Sequence, residues 1–166
     1  MSVFKNIEKS KKEIVDNLIE KLNVELASLE EAASSAKEYA TASDLKSEGK
    51  YDTRAIEASY LASAQSKRVE ELKLDIKMLE DLVLDLRDSD TLQLGSLGVI
   101  RHNEQERLYF LSSTSGGAMV SIESTPVLVI SVFSPIGNAA LGYAKGESFE
   151  VETPRETRSY EVVAVY

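Results

Sequence analysis

At 166 residues with 43% hydrophobic and 28% charged side chains, the chain can build one or two small cores and is neither disordered nor membrane-spanning. A net charge of −9 and a pI near 4.8 exclude the basic face of a generic duplex-DNA binder. The absence of Cys and the single His, His102, exclude disulfides, thiolate metal sites, a Cys nucleophile and a His-rich zinc site.

The N-terminal MSVFKNIEKSKKE carries charge where a secretory signal needs an apolar stretch, and the longest apolar run, 127–132 broken by Ser131, is too short for a bilayer. The expectation is a soluble cytoplasmic protein. Up to Asp88 there are 14 basic against 19 acidic residues, and beyond it 5 against 9, so both parts are acidic. Such a surface favours another protein, or a cationic site such as a bound metal, as the partner.

From Phe4 to Ala42, and again from Lys50 to Leu94, there is no Gly and no Pro. In the first stretch Val15, Leu18, Leu22, Leu29, Ala32, Ala36 and Tyr39 recur at spacings of three and four, with Glu25 breaking the register beside Leu26. In the second, Ala55, Ala58, Ala62, Gln65, Val69, Leu72, Ile76, Leu79, Val83 and Leu86 form a heptad seam. Two such segments joined by a short polar link predict an antiparallel helical hairpin, with arms of roughly 38 residues reaching about 55 Å. Pairing across Glu48 sets Val15 near Val83 and Leu22 near Ile76. It also faces Ala32, Ala33, Ala36 and Ala40 with Ala55, Ala58 and Ala62. The hairpin is expected to be Leu-rich at its base and Ala-lined toward its tip. A coiled coil that dimerises through the same stripe is the plainer alternative.

The tip is Ser43 to Arg54, SDLKSEGKYDTR. Ser43 can cap a helix end, Gly49 supplies a positive φ, and Asp52 with Thr53 can open the second helix. Stability does not require Asp44, Glu48 and Asp52 so far from a core. Carboxylates at the end of a probe can complete a Mg²⁺ shell, because Mg²⁺ takes oxygen ligands and often only one or two from any one protein. A solvated charged loop is the alternative.

Leu92 to Gly98, LQLGSLG, marks a boundary between residues 1–91 and 92–166. Beyond it, short β-type runs alternate with turn residues: Leu97–Arg101, Arg107–Ser112, Ala118–Ile122, Val127–Phe133, Ser148–Thr153 and Ser159–Val165. The loop HNEQE separates the first two, and the almost uninterrupted Val127–Phe133 run is expected near the centre of the sheet. Ser134 to Leu141 reads as a short helix with Ser134 as cap, Pro135 first and Gly142 as stop. The fold class is therefore α+β, a long antiparallel hairpin followed by a small antiparallel sheet with one short helix. No phosphate loop, Ser/His/Asp set or HExxH lies in this part, and His102 is expected at a strand end or in a loop, without a ligand role.

The run SVFSPIGNAALGYAKGESFEVETPRETRSYEVVAVY, from Ser131 to Tyr166, resembles the end of the bacterial GreA/GreB transcript-cleavage factors. That family reads S-V-x-S-P-I-A-x-A-L-I-G, then K-x-G-D, V-E-V-x-T-P and a final Y-E-V strand. The tip is similar to the family's G-D-L-x-E-N-A-E-Y, with Asp44, Leu45 and Tyr51 in register. Ser47 falls where the second acid stands, Glu48 comes one place later, and Lys50 falls where another Glu is common. Arg155–Glu156 replaces a common Gly-Gly, which changes only a turn.

The resemblance implies an FK506-binding-protein-like C-terminal domain that docks on RNA polymerase, with Ser134, Pro135 and Ile136 in the docking segment. It implies that the hairpin enters the secondary channel as a monomer and that Asp44 and Glu48 help hold a Mg²⁺ of the polymerase active centre. Leu45, Ser47 and Tyr51 then position the tip. The polymerase would thereby cleave backtracked RNA, with the factor accessory to it and holding no cofactor of its own. Two alternatives remain open on the residues: a channel occupant that inhibits or retunes transcription without cleavage, and a coiled-coil scaffold outside transcription.

Overall fold

The computed structural model describes residues 5–44, 53–82 and 90–166, with the backbone alone for 39–44, 54 and 55. Two long helices come first, α1 (Ile7–Asp44) and α2 (Thr53–Glu80). By compactness the chain falls into a unit of residues 20–77 and a unit of residues 1–19 with 78–166.

Within residues 20–77, both helices bury a narrow stripe. On α2 it runs through Gln65, Val69, Leu72 and Ile76, as the heptad predicts. On α1 it runs through Leu22, Leu26, Leu29 and Ala33, so Leu26 takes the inward place that Glu25 interrupts in sequence. Glu25 instead turns outward to Arg68, 2.8 Å away, and Glu30 reaches Lys73 at 3.5 Å. Glu25 and Arg68 each precede a stripe residue, while Glu30 and Lys73 each follow one. Like flanks therefore face each other, as antiparallel packing requires. A parallel pair in this register would set Thr53 beside Ser10, roughly 50 Å from Asp44. Segment 45–52 spans at most about 30 Å when extended, so the hairpin is antiparallel.

The alanine face departs from expectation: Ala32, Ala36, Ala58 and Ala62 are exposed. A helix with one neighbour is covered on one side only, and a methyl group is too short to shield itself there. Burial accordingly falls from Leu72, 0% exposed, to half-buried Val69 and Gln65. Val83 and Leu86, expected to extend the seam, lie outside the described residues.

The Glu25 hydrogen bond, ahead of the nearby carboxylate charges, raises the Arg68 pKa. Both side chains are nearly half exposed, so solvent screens the attraction. A Glu25→Ala/Arg68→Ala double-mutant cycle should give a coupling below about 1 kcal/mol. Chemical denaturation with and without 1 M salt checks it, and salt should remove what coupling there is.

In the other unit, β1 (Leu97–His102), β2 (Gln105–Ser112), β3 (Met119–Ile122), β4 (Thr125–Ser131), β5 (Ser148–Glu152) and β6 (Thr157–Val165) form one sheet. Its order is β3-β4-β2-β1-β6-β5. Two-residue turns at Asn103–Glu104 and Glu123–Ser124, all with positive φ, close the β1–β2 and β3–β4 hairpins. The first is tighter than the HNEQE loop expected. The sheet is mixed: β2 and β4 pair in parallel, and the other pairings are antiparallel. The chain leaves β2, passes over one strand position, descends as β3 and returns as β4 into the gap. That placement gives β4 a neighbour on each side, but β2 is the more buried strand.

Consecutive β2 residues Phe110 and Leu111 are both 0% exposed, so the sheet is covered on both faces. One face gathers Ile100, Tyr109, Leu111, Ile130, Phe149, Tyr160 and Val162 with Ala140 of the short helix α3 (Pro135–Ala140). The other carries Leu97, Phe110, Val127 and Val129. The helical residues of this same unit, Ile14, Leu18 and Leu79, are buried as well. Among the described residues no helix is long and apolar enough to cross a membrane.

Candidate functional site

Two groups of residues were candidates from the sequence, and the structure describes one of them in full. Asp44 is the last residue of α1, described by its backbone. Leu45, Ser47, Glu48, Tyr51 and Asp52 lie outside the described residues, and Thr53 begins α2. Among the described residues no group of three or more His, Cys, Asp or Glu side chains could hold a metal.

Ser134, Pro135 and Ile136 stand at the junction of β4 and α3. Ser134 is the N-cap: its Oγ accepts the Gly137 N–H at 3.1 Å and donates to the Ser131 carbonyl at 2.6 Å. Pro135 follows at the first helical position, where its missing N–H and fixed φ suit the turn. Ile136 packs partly buried against the sheet cluster, so of the three it is Pro135 that is exposed. Gly137 permits the close seat of α3, since a Cβ there would lie 1.9 Å from the Ser131 carbonyl oxygen. Replacing Ser134 by alanine should cost about 1–2 kcal/mol, by orphaning the Gly137 N–H and freeing the turn. Urea unfolding at unchanged m-value would measure it.

Beside this junction lies a residue that strand patterning misassigns. The apolar run suggests a strand to Phe133, yet β4 stops at Ser131, whose carbonyl takes both the Ser134 N–H and its hydroxyl. Phe133 is thereby turned outward and is 77% exposed. Its position directly before Ser-Pro is the sequence cue that could have found it.

His102 ends β1 as expected, with Nδ1 2.8 Å from the Ser159 carbonyl and its ring stacked on Tyr160. The expected joint between the last two strands is a turn in which Thr153 and Glu156 bond each other. An open groove of about 550 Å³ is lined by Val99, Leu108, Met119, Pro126 and Leu128 with Glu106 and Arg107. Glu106 there is already engaged by Arg101.

Residues 117–166 match the family model described as transcription elongation factor, GreA/GreB, C-terminal. Over this stretch the chain is of GreA/GreB type. Transcription elongation factor GreA of Azorhizobium caulinodans is 29% identical over 110 residues, 65% of this chain and 66% of that protein. GreA of Cereibacter sphaeroides is 32% identical over 100 residues, 59% of this chain and 62% of its own length. The chain thus spans a little under two thirds of these GreA relatives. Among solved structures, Gfh1 of Thermus aquaticus is 22% identical, with 89% of this chain and 92% of that one covered at a TM-score of 0.38. The GreA/GreB match includes β3, β4, α3, β5 and β6, and with them the Ser134–Pro135–Ile136 junction.

Proposed function

We propose that this GreA/GreB-type chain is a transcription elongation factor that stimulates RNA polymerase to cleave its own backtracked RNA. The C-terminal domain docks on the polymerase through the Ser134–Pro135–Ile136 junction, and the helical hairpin enters the secondary channel. Asp44 and Glu48 help hold a Mg²⁺ of the polymerase active centre, with Leu45, Ser47 and Tyr51 setting the tip. The factor acts as a monomer in the cytoplasm, has no cofactor of its own, and is an accessory to the polymerase's nuclease activity.

The observation that carries this reading is the family match over residues 117–166, the part that holds the docking junction. The antiparallel hairpin supports it, because Asp44 closes α1 and further acids follow it in sequence before Thr53 opens α2. Two-metal phosphoryl chemistry also suits a supplied carboxylate, since one ion activates water and the other stabilises the leaving oxygen.

A second reading keeps the partner and loses the cleavage. Ser47 stands where the family carries its second acid, and a one-residue shift around a turn re-aims the Glu48 carboxylate. Such a chain would occupy the channel and retune transcription.

The test uses cognate RNA polymerase halted in a backtracked complex with Mg²⁺ and end-labelled RNA. Shortened RNA on adding the protein is the expected result. Slower elongation with intact RNA would select the second reading. Absence of binding to the polymerase would overturn both and leave a coiled-coil scaffold.

A further inference from the structure

We propose that the groove between the first residues of β2 and β4 is a docking site for a basic, extended segment of a partner protein. It seats an arginine side chain, with the stem on apolar surface and the guanidinium against a carbonyl and two carboxylates. The site lies at the end of the sheet away from the β4–α3 junction, so it is independent of the polymerase reading above.

The groove exists because of one residue. β2 and β4 pair in parallel only from Leu108↔Val127 onward, although the strands begin at Gln105 and Thr125. The two-residue turn makes His102↔Gln105 and Ile100↔Arg107 the hydrogen-bonded pairs of the β1–β2 ladder. Glu106 and Leu108 therefore turn their backbone groups toward β4. The bond that would continue the parallel ladder past Leu108 runs from the N–H of residue 126 to the Glu106 carbonyl. Residue 126 is Pro, which has no N–H, so the ladder stops and the strands part. Ladder geometry leaves the Glu106 carbonyl facing the gap as an acceptor.

The lining is apolar. Val99 and Leu108, 9% and 6% exposed, are joined by Pro126, Leu128 and Met119, the last 59% exposed. A volume of about 550 Å³ falls within the roughly 300–1,000 Å³ of sites that hold small groups.

The rim is acidic. The β1–β2 and β3–β4 turns flank the gap, two strand spacings or about 10 Å apart. Each presents an exposed carboxylate from a residue of positive φ, Glu104 and Glu123. Neither makes an ion pair among the described residues. The cations nearby are already engaged. Arg101 holds Glu106 and Glu161, and Arg107 turns toward the Gln105 amide, 3.5 Å away, and the Tyr109 hydroxyl. An apolar slot ringed by acceptors suits a long side chain with an apolar stem and a head that only donates. The arginine fork addresses a carbonyl and a carboxylate together. A chain of net charge −9 draws in such a basic segment and repels a second copy of itself.

The test titrates the ¹⁵N-labelled full chain with the peptide acetyl-LRLR-amide and follows the backbone amides by NMR. Saturable shifts confined to residues 104–108, 119 and 123–128 are expected, with none from acetyl-LELE-amide. The Glu104→Gln/Glu123→Gln double variant should weaken binding about 10-fold. Pro126→Val gives the residue an N–H, lets the ladder take the Glu106 carbonyl and closes the groove. It should also weaken binding about 10-fold, with the melting temperature held or raised. Absence of shifts, shifts spread over the acids of the hairpin, or binding unchanged in both variants would overturn the proposal. The same amides shifting as the protein alone is concentrated would assign the groove to a second copy and overturn it too.

Discussion

Asp44→Ala is expected to bind RNA polymerase as wild type does and to lose about 10²-fold in the rate of backtracked-RNA cleavage, the scale on which misplacing one reacting group acts. The two readouts separate because the proposed roles lie in different parts of the chain. Docking is proposed for the β4–α3 junction, whereas Asp44 closes α1. Single-turnover cleavage at saturating factor would read the rate alone. Glu48→Ala distinguishes the two functional readings: a further loss assigns Glu48 the second acid's work, and no change says that its carboxylate points elsewhere. Ser47→Glu completes the series, since it restores an acid at the family's position and should raise cleavage if that placement is what matters. Equal cleavage by wild type, Asp44→Ala and Glu48→Ala would remove the tip from the mechanism.

Phe110→Ala should have the largest effect on stability. Phe110 is the largest fully buried side chain described, on β2 between its partners Leu97 of β1 and Val129 of β4. Truncation loses the transfer free energy of the ring and leaves a cavity that a sheet covered on both faces cannot collapse. The cost should be about 3–5 kcal/mol, a large share of the roughly 5–15 kcal/mol typical of a folded domain. A fall in melting temperature of roughly 10–20 °C, read by calorimetry, is the expected result. Phe133→Ala is the natural contrast: the same side chain, almost fully exposed, should change stability by less than about 0.5 kcal/mol. A small loss at Phe110 would mean that the sheet centre repacks freely.

Much of this architecture is readable from residues alone. The three-four apolar spacing marks both helices, and Gln65, Val69, Leu72 and Ile76 lie on the buried stripe that it predicts. The first strand begins at Leu97, where its β-type run is expected to start. Ser134, Pro135 and Gly142 bracket α3 because a cap, a fixed φ and a positive φ (Gly142, +84°) are local demands that particular residues meet. The functional candidates were legible in a different way. Asp44, Glu48 and Asp52 stand out by their place in the charged link between the two helical stretches, whereas the Ser134–Pro135–Ile136 segment and a role in RNA cleavage come from the resemblance, since charge alone does not tell a working carboxylate from a solvated one.

Other features depended on distant parts of the chain meeting. Glu25 interrupts the heptad in sequence, and it is the packing of the opposite helix that takes Leu26 inward and leaves Glu25 outside beside Arg68. The alternation of β4 is equally compatible with an antiparallel or a parallel neighbour. Its parallel pairing with β2 follows from β3 stepping past the open strand position, a choice made by the whole sheet. Phe133 reads as the end of a core strand, but the Ser131 carbonyl draws the Ser134 cap back and turns the ring to solvent. Helical and strand periods, caps and turns are thus determined by the sequence itself, because each involves residues a few places apart. Strand order, the inward choice between adjacent residues and the apolar side chain left outside were decided by the tertiary structure, because each depends on groups tens of residues away competing for the same space and the same hydrogen bonds.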